Sequence, residues 1–258
     1  MPNGTPLSEE DARAIMAGGF ADACREILSG ACAAIFWFAQ DDADRPILGN
    51  GSVTFLQTPE RLLGVTAAHV IRGYQAVRDV RPVTLQIGDE IFEKLRTIAI
   101  SDRLDIATFE LTARTLAGNG KPIVPFASWP PVAPLEGFGI MVAGYPGGER
   151  RIEGRLEVNF GLFTGLGIAR RVTVDQVTWL IEREYCMEGG PVPAMPPNYD
   201  LGGISGGPLV ALWESAAGLV TYRLAAIVSE ANAGLEHIVG KRAEYIQPDG
   251  SIDEPVGI

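Results

Sequence analysis

Cysteine and histidine are scarce in this chain: Cys24, Cys32 and Cys186, with His69 and His237, make up both sets in 258 residues. An odd, sparse group of cysteines with no C-x-x-C pair excludes a disulfide framework and points to reduced, mostly buried thiols. Two histidines and no paired cysteines leave no metal-ligand spacing, so a structural zinc is excluded. There is no H-E-x-x-H, and no carboxylate run has calcium-loop spacing. Gly120-Lys121 is followed by Pro122, which lacks the hydroxyl of a phosphate-cradling loop. Neither a metal nor another cofactor is expected. Long apolar runs are missing too: none approaches the ~20 residues of a membrane span, so no membrane partner is expected. The segment from Met1 to Asp11 has neither the basic start nor the apolar core of an export leader, and the expected location is cytoplasmic. Positive charge is in deficit, with 21 Lys+Arg against 32 Asp+Glu and a net charge of −11. That balance argues against nucleic acid as a partner, because phosphate contacts need clustered cations.

What is present is an ordinary globular composition, 47% apolar and 21% charged, with 31 Gly and 18 Pro. So much Gly and Pro favours short strands and tight turns over a helical bundle. Residues 8–29 read as the one long helix, with Ser8 as N-cap and Ala12, Ile15, Met16, Phe20, Ala23, Ile27 and Leu28 at helical spacing. Beyond Gly30 the pattern turns to strands, over 32–39, 52–57, 62–67, 83–87, 96–100 and 105–111. Asp41-Asp42-Ala43-Asp44, Gly49-Asn50-Gly51 and Gly88-Asp89 read as turns between them. The Pro-rich stretch 118–134 reads as a crossing segment. Strands resume over 138–144, 155–164, 171–182, 207–213, 219–229 and 236–246, with an irregular piece at 187–203. The expected division is a helical arm over 1–30, a β-rich unit over 31–125 and a second over 126–258.

The densest local signal is Gly202-Gly203-Ile204-Ser205-Gly206-Gly207-Pro208. A serine among glycines leaves room for a carbonyl to approach its hydroxyl. The backbone N–H groups of Gly203 and Ser205 can converge on one point, as stabilising a tetrahedral oxyanion requires. A serine hydroxyl needs a base. His69 lies among small residues at the end of an apolar strand, whereas His237, in a late strand, reads as packed or surface. An acid must hold the imidazole. Asp105 opens an otherwise apolar strand and is the candidate, with its neighbour Asp102 as the fallback.

Thr66-Ala67-Ala68-His69, Asp105-Ile106-Ala107 and Gly203-Ile204-Ser205-Gly206-Gly207-Pro208 resemble the three signature blocks of the chymotrypsin/trypsin-like serine peptidases, in that family's order. Their spacings of 36 and 100 residues suit that family, and the resemblance is to a bacterial-type, intracellular member, since such members often lack the acid that Ile204 replaces. The resemblance covers about residues 31–247. It implies an all-β fold of two six-stranded antiparallel β-barrels, with the N-terminal helical arm outside it. It further implies a serine endopeptidase with His69 as base then acid, Asp105 as its orienting partner and Ser205 as nucleophile. Gly203 and Ser205 would form the oxyanion hole, and a polypeptide would be the substrate. Less tightly, Ser229, Glu230 and Ala231 match the strand that pairs with extended substrate, and Ser229 matches a serine that often bonds the catalytic acid. Tyr199 falls near the floor of the specificity pocket, with Asp200 one register away; small or medium apolar side chains are the expected preference. Ile204 stands where zymogen-activated relatives carry an acid, so that activation route has no receptor.

Two other readings compete. Gly203-Ile204-Ser205-Gly206-Gly207 also fits the G-x-S-x-G elbow of α/β-hydrolases, but Gly206-Gly207-Pro208 starts a helix poorly and no βα alternation is visible. The chain could also serve as a latent or degenerate peptidase that binds a partner, with an activating protein ordering the loops at 41–51 and 187–203.

Overall fold

A computed structural model of the chain describes residues 19–43, 45–121, 129–153, 157–181, 199–214, 220–232 and 237–255. Helix α1 (Ala21–Ala31) runs directly into β1 (Cys32–Gln40), followed by β2 (Pro46–Gln57), β3 (Leu62–Thr66) and helix α2 (Ala68–Arg78). Then come β4 (Thr84–Ile87), β5 (Glu90–Phe92), β6 (Thr97–Ser101), β7 (Ile106–Glu110) and helix α3 (Ala113–Gly118). These seven strands form one antiparallel sheet in the order β5-β4-β1-β2-β3-β7-β6.

The second half of the chain builds β8 (Gly139–Gly144), a hairpin of β9 (Arg150–Glu153) and β10 (Glu157–Phe160), and then β11 (Phe163–Ile168), β12 (Arg171–Val172) and β13 (Gln176–Leu180). It ends with β14 (Pro208–Glu214), β15 (Val220–Asn232) and β16 (His237–Arg242). Apart from the hairpin, they pair in the order β11-β8-β14-β15-β16-β13-β12. The all-β class expected from the sequence is thus the one adopted, consistent with a trypsin-like double barrel. Each sheet has seven strands where six were expected, and short edge strands account for the surplus: β5 has three residues and β12 two.

The strand period explains why β1, β2 and β8 read as continuous apolar runs. On β1, Ile35 and Trp37 point into a cluster with Val53, Phe55, Ile71, Tyr74 and Phe109. Their neighbours Cys32, Ala34 and Phe36 point the other way, into a cluster that crosses between the sheets. On β8, Met141 and Ala143 join that shared cluster while Ile140 and Val142 face a third core under β14 and β15. Strands covered on both faces lose the alternation that marks a half-exposed strand. Helix α1 seals the shared cluster with Cys24 and Leu28, both buried.

Three local expectations change. The helix ends at Ala31 rather than 29, and residues 8–18 of the expected span lie outside the described residues. Gly49-Asn50-Gly51 is strand, not turn: a Cβ on Gly49 would lie 2.2 Å from Trp37 Cζ2, so the glycine makes room for the indole across the ladder. The 155–164 and 171–182 runs are each broken, the latter at Thr173, whose N–H donates to the Gln176 carbonyl at 2.9 Å. Of the crossing segment, 122–128 lies outside the described residues; Val132 beyond it donates to the Leu224 carbonyl at 3.0 Å.

Candidate active site

His69 sits on the first turn of α2, where the sequence suggested the end of a strand. β3 stops at Thr66, Ala67 is extended (φ −70°, ψ 143°), and the helix starts at Ala68. Val70, Ile71 and Tyr74 recur at helical spacing and bury against the first core, which turns His69 outward with 53% of its side chain exposed. That spacing was the available signal for the helix.

Asp105 meets it from the turn before β7. Its Oδ2 lies 2.9 Å from His69 Nδ1, and its Oδ1 accepts the His69 backbone N–H at 2.9 Å. A carboxylate only accepts, so this pairing places the ring proton on Nδ1 and leaves the Nε2 lone pair free. Asp105 has φ +48°, a left-handed conformation that short polar residues tolerate better than most. The fallback acid, Asp102, is engaged elsewhere: Arg72 on α2 grips it with Nη2–Oδ2 at 3.1 Å and Nε–Oδ1 at 3.3 Å.

The Ser205 turn is seated by β2 of the first sheet. Ser52 N–H donates to the Ser205 carbonyl at 2.8 Å, Ser52 Oγ to the Gly203 carbonyl at 2.9 Å, and Thr54 Oγ1 to the Gly206 carbonyl at 2.9 Å. The Ser52 hydroxyl also accepts the Tyr145 N–H at 2.8 Å, so it both donates and accepts, and the residue is fully buried. Gly203 (φ +98°) and Gly206 (φ +93°) have no alternative here. A Cβ would fall 2.1 Å from Asn50 Nδ2 at the first and 2.0 Å from the Ser52 carbonyl at the second. Ile204 is buried in the third core against Gly144, so it anchors the turn from behind.

The Gly202 carbonyl accepts the Gly147 N–H at 2.5 Å. In a planar trans peptide the Gly203 N–H then points the opposite way. Among the described residues, neither that N–H nor the Ser205 N–H donates to a backbone acceptor. The Ser205 hydroxyl donates to the Ser229 carbonyl at 3.1 Å, at the irregularity in β15 between Val228 and Glu230. Ser205 and α2 are close: a Cβ on Gly51 would touch Val70 Cγ1 at 2.7 Å and the Ser205 carbonyl at 3.3 Å.

The remaining expected site residues divide. Tyr199 donates its hydroxyl to Glu149 Oε1 at 2.7 Å and stacks obliquely with Phe163 at 6.2 Å. Burial, and next the Glu149 carboxylate, push the Tyr199 phenol well above its ordinary range. Asp200 spends its Oδ1 on the Gly202 N–H at 2.8 Å, inside its own turn. Glu230 faces His237, with Oε1–Nε2 at 3.7 Å, and Ala231 packs on the third core. Cys24 and Cys32 are free and buried, and burial pushes the Cys32 thiol up to about 12; Cys186 lies outside the described residues. Among the described residues, no three His, Cys, Asp or Glu gather as a metal site would require, and no helix is long and apolar enough to cross a membrane.

Sequence reading missed Ser52, Asn50, Tyr145 and Arg72. The available sign was a pair of hydroxyls, Ser52 and Thr54, on a strand otherwise buried beside Val53, Phe55 and Leu56. Buried hydroxyls require partners.

No protein-family model matches the chain, and no curated protein matches it. Solved structures do. One is described as "Structure of Glu endopeptidase in complex with MPD"; it is 13% identical, with a TM-score of 0.43 over 81% of this chain and 84% of that one. Another comes from work on the disordered VPg protein of Sesbania mosaic virus; it is 18% identical, with a TM-score of 0.45 over 84% of this chain and 87% of that one. These are weak likenesses of fold and assign no residue.

Proposed function

We propose that the chain is a serine endopeptidase that cuts polypeptides through an acyl-enzyme, with Ser205 as nucleophile, His69 as base and Asp105 as the acid that orients it. The observation that carries this reading is the double contact of Asp105 with His69, through N–H and Nδ1, beside a glycine-bounded serine turn. His69 Nε2 would take the Ser205 proton as the hydroxyl oxygen bonds to the substrate carbonyl carbon. The charge that develops on the carbonyl oxygen would meet the N–H groups of Gly203 and Ser205. His69 would then protonate the leaving amine, and water activated by the same imidazole would release the acyl group. In this reading the unit over 31–125 supplies His69 and Asp105, and that over 126–258 supplies Ser205. Ser229, Glu230 and Ala231 would flank the extended substrate, with Tyr199 beside the pocket for the residue at the cut.

The test is labelling by a fluorophosphonate probe, with cleavage of an unfolded protein substrate, for the parent, Ser205→Ala and His69→Ala. The parent alone reacts and cleaves if the reading holds; a Ser205→Ala chain that cleaves as fast as the parent overturns it. A second reading, a latent or degenerate peptidase that binds a partner, draws on the resting bond from Ser205 Oγ to the Ser229 carbonyl. It requires that the parent alone take up no probe.

A further inference from the structure

Asp105 occupies a disfavoured backbone conformation, and such conformations persist only where the surroundings hold them. On one side the holding is done by α2, through His69 and Arg72. On the other side is a strap formed by residues 246–255. It folds back on itself, with Gln247 N–H to the Ser251 carbonyl at 2.8 Å, Asp253 N–H to the Tyr245 carbonyl at 2.9 Å and a bridge between Ile246 and Ile252. It lies on the first sheet, where Thr58 Oγ1 donates to the Pro248 carbonyl at 2.6 Å and Thr108 Oγ1 to the Gly250 carbonyl. Gly250 is pressed on Ile98 and Leu63, where a Cβ would come within 2.9 and 3.0 Å.

The strap ends on the turn that presents Asp105. The Ser101 hydroxyl donates to Glu254 Oε1 and accepts the Leu104 N–H at 3.0 Å; Arg103 Nη1 donates to the Pro255 carbonyl. A hydroxyl has one proton. Given to Glu254, it turns a lone pair toward Leu104 N–H, and the charged acceptor polarises that second bond. Residues 101–104 are thus each tied: 101 and 104 through the Ser101 hydroxyl, 102 by Arg72 and 103 by Pro255.

We propose that the strap, through Glu254 on Ser101 and Pro255 on Arg103, is a positioning element that holds Asp105 against His69. Its consequence for turnover rests on the triad reading; its effect on the His69–Asp105 contact does not. The full chain is compared with Glu254→Ala, Glu254→Gln and Arg103→Ala by the proton NMR signal of the His69 Nδ1–H, assigned with His237→Gln, and by the rate of fluorophosphonate labelling.

The expected result is a downfield Nδ1–H signal in the parent that weakens or moves upfield in Glu254→Ala and Arg103→Ala. Labelling slows about tenfold, a fraction of the ~10⁴ lost when the orienting acid itself is replaced. Glu254→Gln, which keeps an acceptor for Ser101, retains the signal. Arg103 is exposed, so its variant carries the test if Glu254→Ala fails to fold. An Nδ1–H signal unchanged in both alanine variants overturns the proposal, as does equal loss in Glu254→Gln and Glu254→Ala. A parent that takes up no probe, but whose signal responds to Glu254→Ala, keeps the positioning role and removes the triad reading.

Discussion

Ser52→Ala tests whether the first sheet assembles the oxyanion site proposed for the second. The substitution removes one oxygen from a fully buried position and leaves the Gly203 carbonyl and Tyr145 N–H without their partner. The Ser52 N–H bond to the Ser205 carbonyl survives. Each buried group left unpaired costs about 1–3 kcal/mol, so the turn has a strong incentive to shift. The two groups together cost about 2–6 kcal/mol, and at about 2–4 °C per kcal/mol for a chain somewhat smaller than this one the melting midpoint should fall by roughly 4–24 °C. The rate effect is bounded above by the loss of a whole oxyanion donor, about 10²–10³ in kcat. A partial shift should cost roughly 10- to 100-fold in kcat with KM within about threefold, because the donors act on charge that develops only in the transition state. A chromogenic peptide or ester assay below the melting transition measures both parameters. A Ser52→Ala protein that melts lower as expected yet turns over at the parent rate would refute the reasoning, leaving Ser52 a packing residue. The stake is activation: Ile204, buried behind the turn, offers no carboxylate to a liberated N-terminal ammonium, so in the proposed function Ser52 would have to pre-set the hole.

Three further outcomes follow from the same geometry. Asp105→Asn should lower kcat by up to ~10⁴ through the wrong imidazole tautomer, while Asp102→Asn, which keeps an amide oxygen as acceptor for Arg72 and removes only the charge of an exposed pair, should stay within about threefold and within about 1 kcal/mol of parent stability; steady-state kinetics and melting decide, and the reverse order would make Asp102 the acid. Gly206→Ala places a methyl 2.0 Å from the Ser52 carbonyl at φ +93°, so probe labelling should disappear and the melting midpoint should fall; a labelled, stable variant would show that the turn can move. Burial raises the Cys32 thiol from 9.0 to about 12, so between those values the unfolded chain releases a proton that the folded chain keeps. Stability from this group is full below pH 9 and is lost as pH rises toward 12, at a cost of order 1.4 kcal/mol per pH unit. Cys32→Ala should therefore lose less stability than the parent from pH 9 to 12 in chemical denaturation, and parallel losses would refute the assignment.

The parts legible in the sequence are those that short-range pattern encodes. Val53, Phe55 and Leu56 mark a strand whichever sheet they join, and the three blocks around His69, Asp105 and Ser205 carry their glycines and small residues with them. Local propensity misleads where a distant side chain decides. Gly49-Asn50-Gly51 has turn composition, yet the Trp37 indole needs the space that Gly49 leaves, and the segment extends as strand. Helix α2 was hidden because Leu62–Thr66 runs into it without a polar break, so its first turn, with His69, read as the end of that strand.

What holds the candidate site together has no local signature. Ser52 reaches Gly203 across 151 positions, and Ser101 reaches Glu254 across 153. Neither end of either pair names its distant partner in its own neighbourhood. The same separation gives these contacts their mechanical meaning. A hydrogen bond between sequence neighbours stabilises one turn, whereas these fix the serine turn to the opposite sheet and the Asp105 turn to the strap. His69, on α2, and Asp105, before β7, are carried by elements of the first sheet, and Ser205, before β14, by the second, so their mutual placement is set by how the sheets are joined. Beyond the shared apolar cluster, β2 supplies polar joints at Ser52 and Thr54 directly behind Ser205. Apolar packing between sheets tolerates small slides, because dispersion has no strong direction, whereas a hydrogen bond weakens steeply once its angle falls toward ~120°. Directional bonds placed behind Ser205 therefore restrict the relative motion that would pull its turn away from the His69 imidazole, and they do so without adding to the chemistry of the candidate site.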